Sequence, residues 1–454
     1  MQTSKIRDMT RGSVLKNLLP FVVPIMLGNV LQTLYGAADK VVVGQFAPNG
    51  ALALAAVGGT TAVSYLILGL FFGMGIGVNV ICDNLLGARK HTELRKTMHT
   101  AVPAAVICGA FVALVGILAS DWVLQLMGTP DNVHGLARLY MQIYFAGVPA
   151  MILYNFGAAI LRSHGDTKRP MYILMVSGLV NVVLNLVFVL GLRMSVDGVA
   201  IATAISQALS AFLVLRILFD PNDQYKLCFR ELKIHKKELM SIVRIGIPSG
   251  LGGMMFSASN VVIQSSVNAF NDAALLAGKS VVADVTGMIY QVLAAMLSAC
   301  VSFAGQCYGA KEYKRIDKLV MWGCVICWTI MGIMIAVCVT FAEQVVGLFN
   351  TDPDVIKMGS LIMRLEATGY MIYIPSEVFM GCSRGMKHAG MPTVLNFVGI
   401  CATRIFWVFA IFPLNPAVWM LFLCYPVSWA ISTILQGSYY FHIRRKIDAA
   451  AVQS

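Results

Sequence analysis

Long apolar blocks alternate with short polar segments along the whole chain. Each block runs for about 20 residues or more with little charge, enough for a helix to cross a ~30 Å hydrocarbon layer. The pattern predicts twelve helices, at 14–40, 51–82, 97–119, 135–160, 171–191, 197–219, 239–269, 280–307, 317–342, 356–382, 393–413 and 417–442. Composition agrees: 58% of residues are hydrophobic and 12% are charged, against about 25% charged in a soluble domain. The chain reads as an all-α polytopic membrane protein.

The polar segments alternate in charge. One set carries 25 Lys and Arg, among them Lys5, Arg7, Arg89, Lys90, Arg162, Lys226, Lys311, Arg384 and Arg445; the other carries only Lys40, Arg193, Lys279 and Lys357. The positive-inside rule then puts both termini in the cytoplasm. It also accounts for the net charge of +12 through anionic headgroups, so no nucleic-acid partner is needed. The start, "MQTSKIRDMTRGSVLKN", is polar and basic, and the apolar block after it lacks a small-residue cleavage site. The first helix is therefore expected to be retained. Eleven Cys are scattered, and Cys324 and Cys327 form a lone CxxC with no second pair or nearby His. They read as small packing residues rather than zinc ligands.

The chain resembles itself at a shift of 222 residues. "LLGARKHTELRK" (85–96) falls on "CYGAKEYKRIDK" (307–318), Asp121 on Glu343, Arg162 on Arg384 and Pro170 on Pro392; Pro24 meets Pro248 at a shift of 224. Several matches near one offset indicate duplication. Each half holds six helices, an even number, so both enter the membrane from the same side. Two six-helix bundles related by a pseudo-two-fold axis along the membrane normal are expected, the parallel-repeat plan of secondary transporters. The predicted organisation is an N-terminal lobe (1–219), a polar cytoplasmic linker (220–238), a C-terminal lobe (239–443) and a cytoplasmic tail (444–454).

"LKNLLPFVVPIMLGNVLQTLYGAADKVVVGQF", "LLGARKHTELRK", "LRSHGDTKRPM", "NVVLN", "DGVAIATAIS" and "GQCYGAKEYKRI" follow one another along the chain. With twelve spans and the duplication, this sequence resembles the multidrug and toxic compound extrusion (MATE) family over about 12–442. The resemblance implies export of drugs and organic cations in exchange for inward Na⁺ or H⁺, without a cofactor. It also implies a bacterial cytoplasmic membrane location and action as a monomer.

Asp39 stands in a highly apolar stretch. A charge in hydrocarbon costs at least ~2.5–3.5 kcal/mol on insertion scales, so the group must face a cavity, find a partner or change protonation. Asn181 and Asn185 are four apart and share one helix face, and Thr203 lies in the next helix. Together they offer oxygen ligands for Na⁺, and the carboxylate alone can carry H⁺. The resemblance implies that these four form the cation site of the first lobe. The plainer alternatives are a local Asp39–Lys40 pair at the outer interface, Asn181 and Asn185 as helix–helix glue, and Thr203 as packing. At a shift of 222, Asp39 meets Val261, and Asn181, Asn185 and Thr203 meet Thr403, Trp407 and Tyr425. The acid was not kept in both halves.

Further candidates for a cavity or substrate surface are Gln32, Tyr35, Tyr154, Asn155, Tyr290, Glu377, Arg404 and Trp407. The aromatics suit a flat cation, or plain core packing. Glu377 precedes Arg384 by seven residues, as Asn155 precedes Arg162; it could take protons, or form a structural ion pair with Arg404. Asp284 and Glu366 are isolated acids of the second half, and Arg364 is its other intramembrane base. Pro20 and Pro24 each remove a backbone bond from helix 1, giving either a bend used in transport or a fixed kink.

Two other function classes fit the sequence less well. A lipid-linked glycan flippase of the same superfamily would be expected to show more helices and a strongly basic cavity. A membrane-embedded enzyme has no support: all seven His fall in loops or near helix ends, and no HExxH or Ser/His arrangement occurs.

Overall fold

The computed structural model describes residues 8–223, 225 and 227–453, with backbone alone for 61–67 and 450–453. Lys5, Arg7 and Lys226 of the basic loops lie outside the described residues. Among those described, regular structure is entirely helical. The long helices are α1 (Val14–Phe46), α2 (Gly50–Gly87), α3 (His91–Leu126), α4 (Asp131–Ser163), α5 (Lys168–Leu186), α6 (Val196–Leu218), α7 (Lys236–Asn268), α8 (Ala273–Gly309) and α9 (Tyr313–Thr340). A short α10 (Ala342–Gly347) leads into α11 (Pro353–Gly385). The next span, Gly390–Leu414, contains α12 (Gly390–Asn396), α13 (Thr403–Phe406) and two π-helical stretches, Phe397–Ala402 and Trp407–Ile411. The last comprises α14 (Val418–Phe422) and α15 (Cys424–Gln453).

All twelve expected helices are present, and most extend beyond the apolar blocks that announced them. A helix of 33 residues such as α1 is about 50 Å long at 1.5 Å per residue. Its ends therefore project past the hydrocarbon layer, where polar residues carry the helix on. Among the described residues, eleven helices are long and apolar enough to cross a membrane. The twelfth, α11, is less apolar: Arg364, Glu366 and Glu377 interrupt it, and Tyr, Thr, Ser, Pro and Gly stand among its apolar residues. It is nevertheless central to its unit, packing against α8, α9 and α15.

The chain divides into two compact units, one comprising Val23–Gly250 and the other Met9–Val22 with the residues from Leu251 onward. Helix α1 is thus shared, and the division falls between Pro20 and Pro24. In the first unit α4 is central, packed by α2, α3 and α6, as α11 is in the second. In the second unit the segment before α1 is pinned to α8 and α9: the Met9 backbone N–H donates to Gln306 Oε1 at 3.2 Å, and Arg315 Nη2 donates to the Met9 carbonyl at 2.9 Å.

The duplication is also written in the turns. Left-handed residues recur at a shift of 222: Asn49 (φ 56°) and Asn271 (51°), Arg89 (56°) and Lys311 (62°), Gly165 (82°) and Lys387 (68°). The capping bonds recur with them. Lys90 N–H donates to Leu85 O at 2.9 Å and Glu312 N–H to Cys307 O at 2.8 Å; Asp166 N–H to Leu161 O and His388 N–H to Ser383 O, both at 3.0 Å. Non-glycine residues in this conformation cost roughly 1–2 kcal/mol each, and the same helix-ending turn is kept in both halves despite that cost.

Candidate functional site

Helix α1 runs through Asp39 and ends two turns later at Phe46. The carboxylate is therefore in the body of the helix, and only partly buried. Lys40, next around the helix, is exposed and is not its partner. Asn185 Nδ2 donates to Asp39 Oδ1, and Thr203 Oγ1 donates to Asp39 Oδ2 at 3.5 Å. Asn185 Nδ2 also reaches Asn181 Oδ1, and Asn181 Nδ2 reaches Thr203 Oγ1, each at 3.4 Å. The structure thus brings the four residues together from α1, α5 and α6. Asn185 is fully buried and Asn181 nearly so, which fixes their amides by packing while the acid stays within reach of solvent.

All of Asp39's partners are neutral. They stabilise the ionised carboxylate by hydrogen bonds without cancelling its charge. Asn185 Oδ1 is buried with no hydrogen-bond donor, an orphan acceptor beside the carboxylate. Turning that amide over would aim Oδ1 toward Asp39 and give a cation two oxygens at once. As arranged here, the amide N–H occupies that place. Among the described residues no group of three or more His, Cys, Asp or Glu could hold a metal; the donors here are mostly neutral oxygens, which suits a weakly bound hard cation rather than zinc.

Tyr35, one turn before Asp39, donates from Oη to Met175 O at 3.3 Å, and its ring lies over Gly178. A Cβ at 178 would overlap that ring. Gly178 is needed so that α5 can approach α1 closely enough for Asn185 to meet Asp39. Gln32 is exposed on α1. Tyr154 is buried elsewhere in the unit, donating to Pro170 O at 3.2 Å beside a cavity of about 30 Å³ that Arg162 and Asn29 also line. That space suffices for about one water. The Asn155 amide turns back to Met151 O on its own helix at 2.8 Å. Neither of these hydrogen bonds of Tyr154 and Asn155 reaches Asp39, Asn181, Asn185 or Thr203.

The second unit corrects several expectations. Glu377 does not pair with Arg404. It accepts a hydrogen bond from Tyr373 and has Arg384 as its electrostatic neighbour, with Tyr290 close by. Arg404, 0% exposed, donates from Nε to Ser428 Oγ at 3.1 Å and from Nη1 to Asn260 Oδ1 at 2.9 Å. Its guanidinium carbon lies 4.3 Å from the Tyr425 ring centre and 5.6 Å from those of Phe256 and Trp429. Trp407 is buried and donates to Met420 O at 2.9 Å. Lys279 is not in a loop: it is buried two turns inside α8 and bonds Glu366 Oε2 at 2.7 Å, with Thr286 Oγ1 on the other oxygen at 3.3 Å. The signal for this was present. Asp272 N-caps α8 by accepting from Ala274 and Leu275 N–H, and an Asp at that spacing marks the helix start before Lys279. Arg364 is exposed and paired with Glu343 at 3.4 Å, and Asp284 is exposed on α8.

The MatE family model matches residues 24–187 and again 248–409, two segments whose starts and ends repeat the internal offset. The chain is 28% identical over 450 residues to the probable multidrug resistance protein YoeA of Bacillus subtilis, covering 96% of each. In fold it is similar to a MOP superfamily transporter of Pyrococcus furiosus, described as having a binding pocket of reverse polarity that suggests a different function (TM-score 0.92, 22% identity, 99% of this chain and 100% of that). It is also similar to a multidrug resistance MATE family transporter in an outward-facing conformation (TM-score 0.91, 22% identity, 98% and 99%). With a family model covering most of both halves, this multi-pass membrane protein belongs to the MatE family of transporters.

Proposed function

We propose that this chain exports small organic cations in exchange for inward Na⁺ or H⁺ by alternating access, with Asp39 as the coupling group. The single observation that carries the reading is the Asp39 pocket: a carboxylate inside a spanning helix, held by Asn185 and Thr203 and by no base, with Asn181 bonded to both of those partners. Such a group changes its charge state without breaking an ion pair. A coupling ion needs only different affinities for the two states of the carrier. Proton or Na⁺ binding would release the Asn185 amide from Asp39, loosen α1 from α5 and let α1 bend between Pro20 and Pro24.

Family membership and the multidrug name of the Bacillus relative support drug export, and they do not favour the glycan flippase. Orientation with both termini in the cytoplasm rests on the 25-to-4 division of basic residues. The test uses the purified chain in phospholipid vesicles with a fluorescent cationic dye such as ethidium. Na⁺ and pH gradients are imposed separately. One of them should drive dye uphill; dye that moves only down its own gradient in both arms would refute antiport.

A further inference from the structure

We infer that the first unit carries a binding site for an anionic phospholipid, formed between the start of α3 and the segment joining the two six-helix halves. A cavity of about 340 Å³ opens there, lined by Arg95, Lys96 and His99 of α3 and by Arg230, Glu231 and Lys233 of the joining segment. It is far larger than the cavity of about 30 Å³ beside Tyr154, and its lining is strongly positive.

The walls are built and held. Arg95 Nη2 pairs with Glu231 Oε1 at 2.8 Å. Thr100 Oγ1 donates to Lys233 O and accepts from His235 N–H, each at 3.2 Å. His99 is buried: Nδ1 lies 2.8 Å from Arg95 O, and Nε2 accepts from Cys228 N–H at 3.1 Å. These bonds use up the single acid, Glu231, and the imidazole of His99. Lys96, Arg230 and Lys233 have exposed cationic ends and no acidic partner among the described residues. Three unpaired bases around one concavity attract a phosphate, and basic pockets at the ends of spanning helices accept phospholipid headgroups on this ground.

A second feature distinguishes a lipid from a free phosphate. Beside Arg230, Phe229 is 73% exposed and stacks flat on Phe219 at the end of α6, with ring centres 4.0 Å apart and planes 2° apart. Ile234 is exposed on the same segment. A free anion gains nothing from an exposed apolar stack. A phospholipid does: its phosphate meets the three bases, and the first part of its acyl chain covers the two rings, an aromatic placed at headgroup depth. The bound lipid would hold the joining segment against α3.

The test is native mass spectrometry of the whole protein from detergent micelles doped with dioleoyl phosphatidylglycerol or dioleoyl phosphatidylcholine. The phosphatidylglycerol should be retained at a saturable site and the phosphatidylcholine should not. Lys96→Ala/Arg230→Ala/Lys233→Ala should weaken retention on the order of 100-fold, from the contribution of each base near a charged surface. The control Lys236→Ala/Lys237→Ala/Lys314→Ala removes three bases outside the cavity and should weaken it less than about 3-fold, taking its loss of long-range attraction as screened. Phe229→Ser should lower retention several-fold with all charges kept, and unchanged detergent melting of each variant verifies folding. Equal weakening by the two triple variants would overturn the site. So would displacement of the lipid by inorganic phosphate at equal concentration, or indifference to Phe229→Ser, since either result means that a simple anion is bound.

Discussion

The two units place opposite charges close to, but not at, corresponding positions. In the first, Asp39 is partly exposed and touched only by amides and a hydroxyl. In the second, the residues around the matching positions, Asn260, Arg404, Tyr425 and Ser428, build a fully buried guanidinium boxed by aromatic rings. Lys279, which also lies against the Tyr425 ring, neutralises Glu366. A carboxylate with neutral neighbours can gain or lose a cation at low cost. A carboxylate paired with Lys279, or a guanidinium with a permanent charge, cannot. The difference teaches that duplication kept the scaffold but not its charges: the first unit leaves Asp39 without an ionic partner, as the proposed coupling role requires, and the second pairs Glu366 with Lys279 between two helices.

The contrast can be broken at its strongest point. Lys279→Met leaves Glu366 buried and unpaired, and should cost about 3–5 kcal/mol, read as a lower melting temperature in detergent. Adding Glu366→Gln should recover most of the loss. A single variant as stable as the parent would mean that the pair does not hold the second unit together. Next, Arg404→Gln removes the stacking on Tyr425 and a charged hydrogen bond, with an expected cost of about 2–4 kcal/mol. Dye transport per folded molecule should survive; its complete loss would place Arg404 in the transport step. In the first unit, Gly178→Ala drives a methyl group into the Tyr35 ring and should cost about 1–3 kcal/mol. Gly36→Ala, where a Cβ meets nothing within 4 Å, should cost nothing measurable. Smallest of all, Asp272→Ala removes the cap of α8, for about 1 kcal/mol.

The spans were legible because lipid demands long apolar runs, and the Asp39 cluster because two asparagines four apart declare a shared face. Family resemblance supplied the link to Thr203. Helix ends were less legible: beyond the hydrocarbon layer a helix continues on polar residues, so Lys279 looked like a loop residue. The partners of Arg404 were not legible at all. Asn260 and Ser428 are single polar residues on separate helices, and nothing in local spacing says that they meet. Nor did Glu377 advertise Tyr373 over Arg404, although Tyr373 stands one turn before it, where a side chain on the same face is the natural partner.

The central claim is that Asp39 couples the ion rather than the drug. It is tested most directly by Asp39→Asn in vesicles, comparing two readouts on one preparation. Dye–dye exchange without an ion gradient should persist, because the carrier still reorients. Gradient-driven accumulation should fall to the level of protein-free vesicles. Accumulation equal to that of the parent chain would contradict the account.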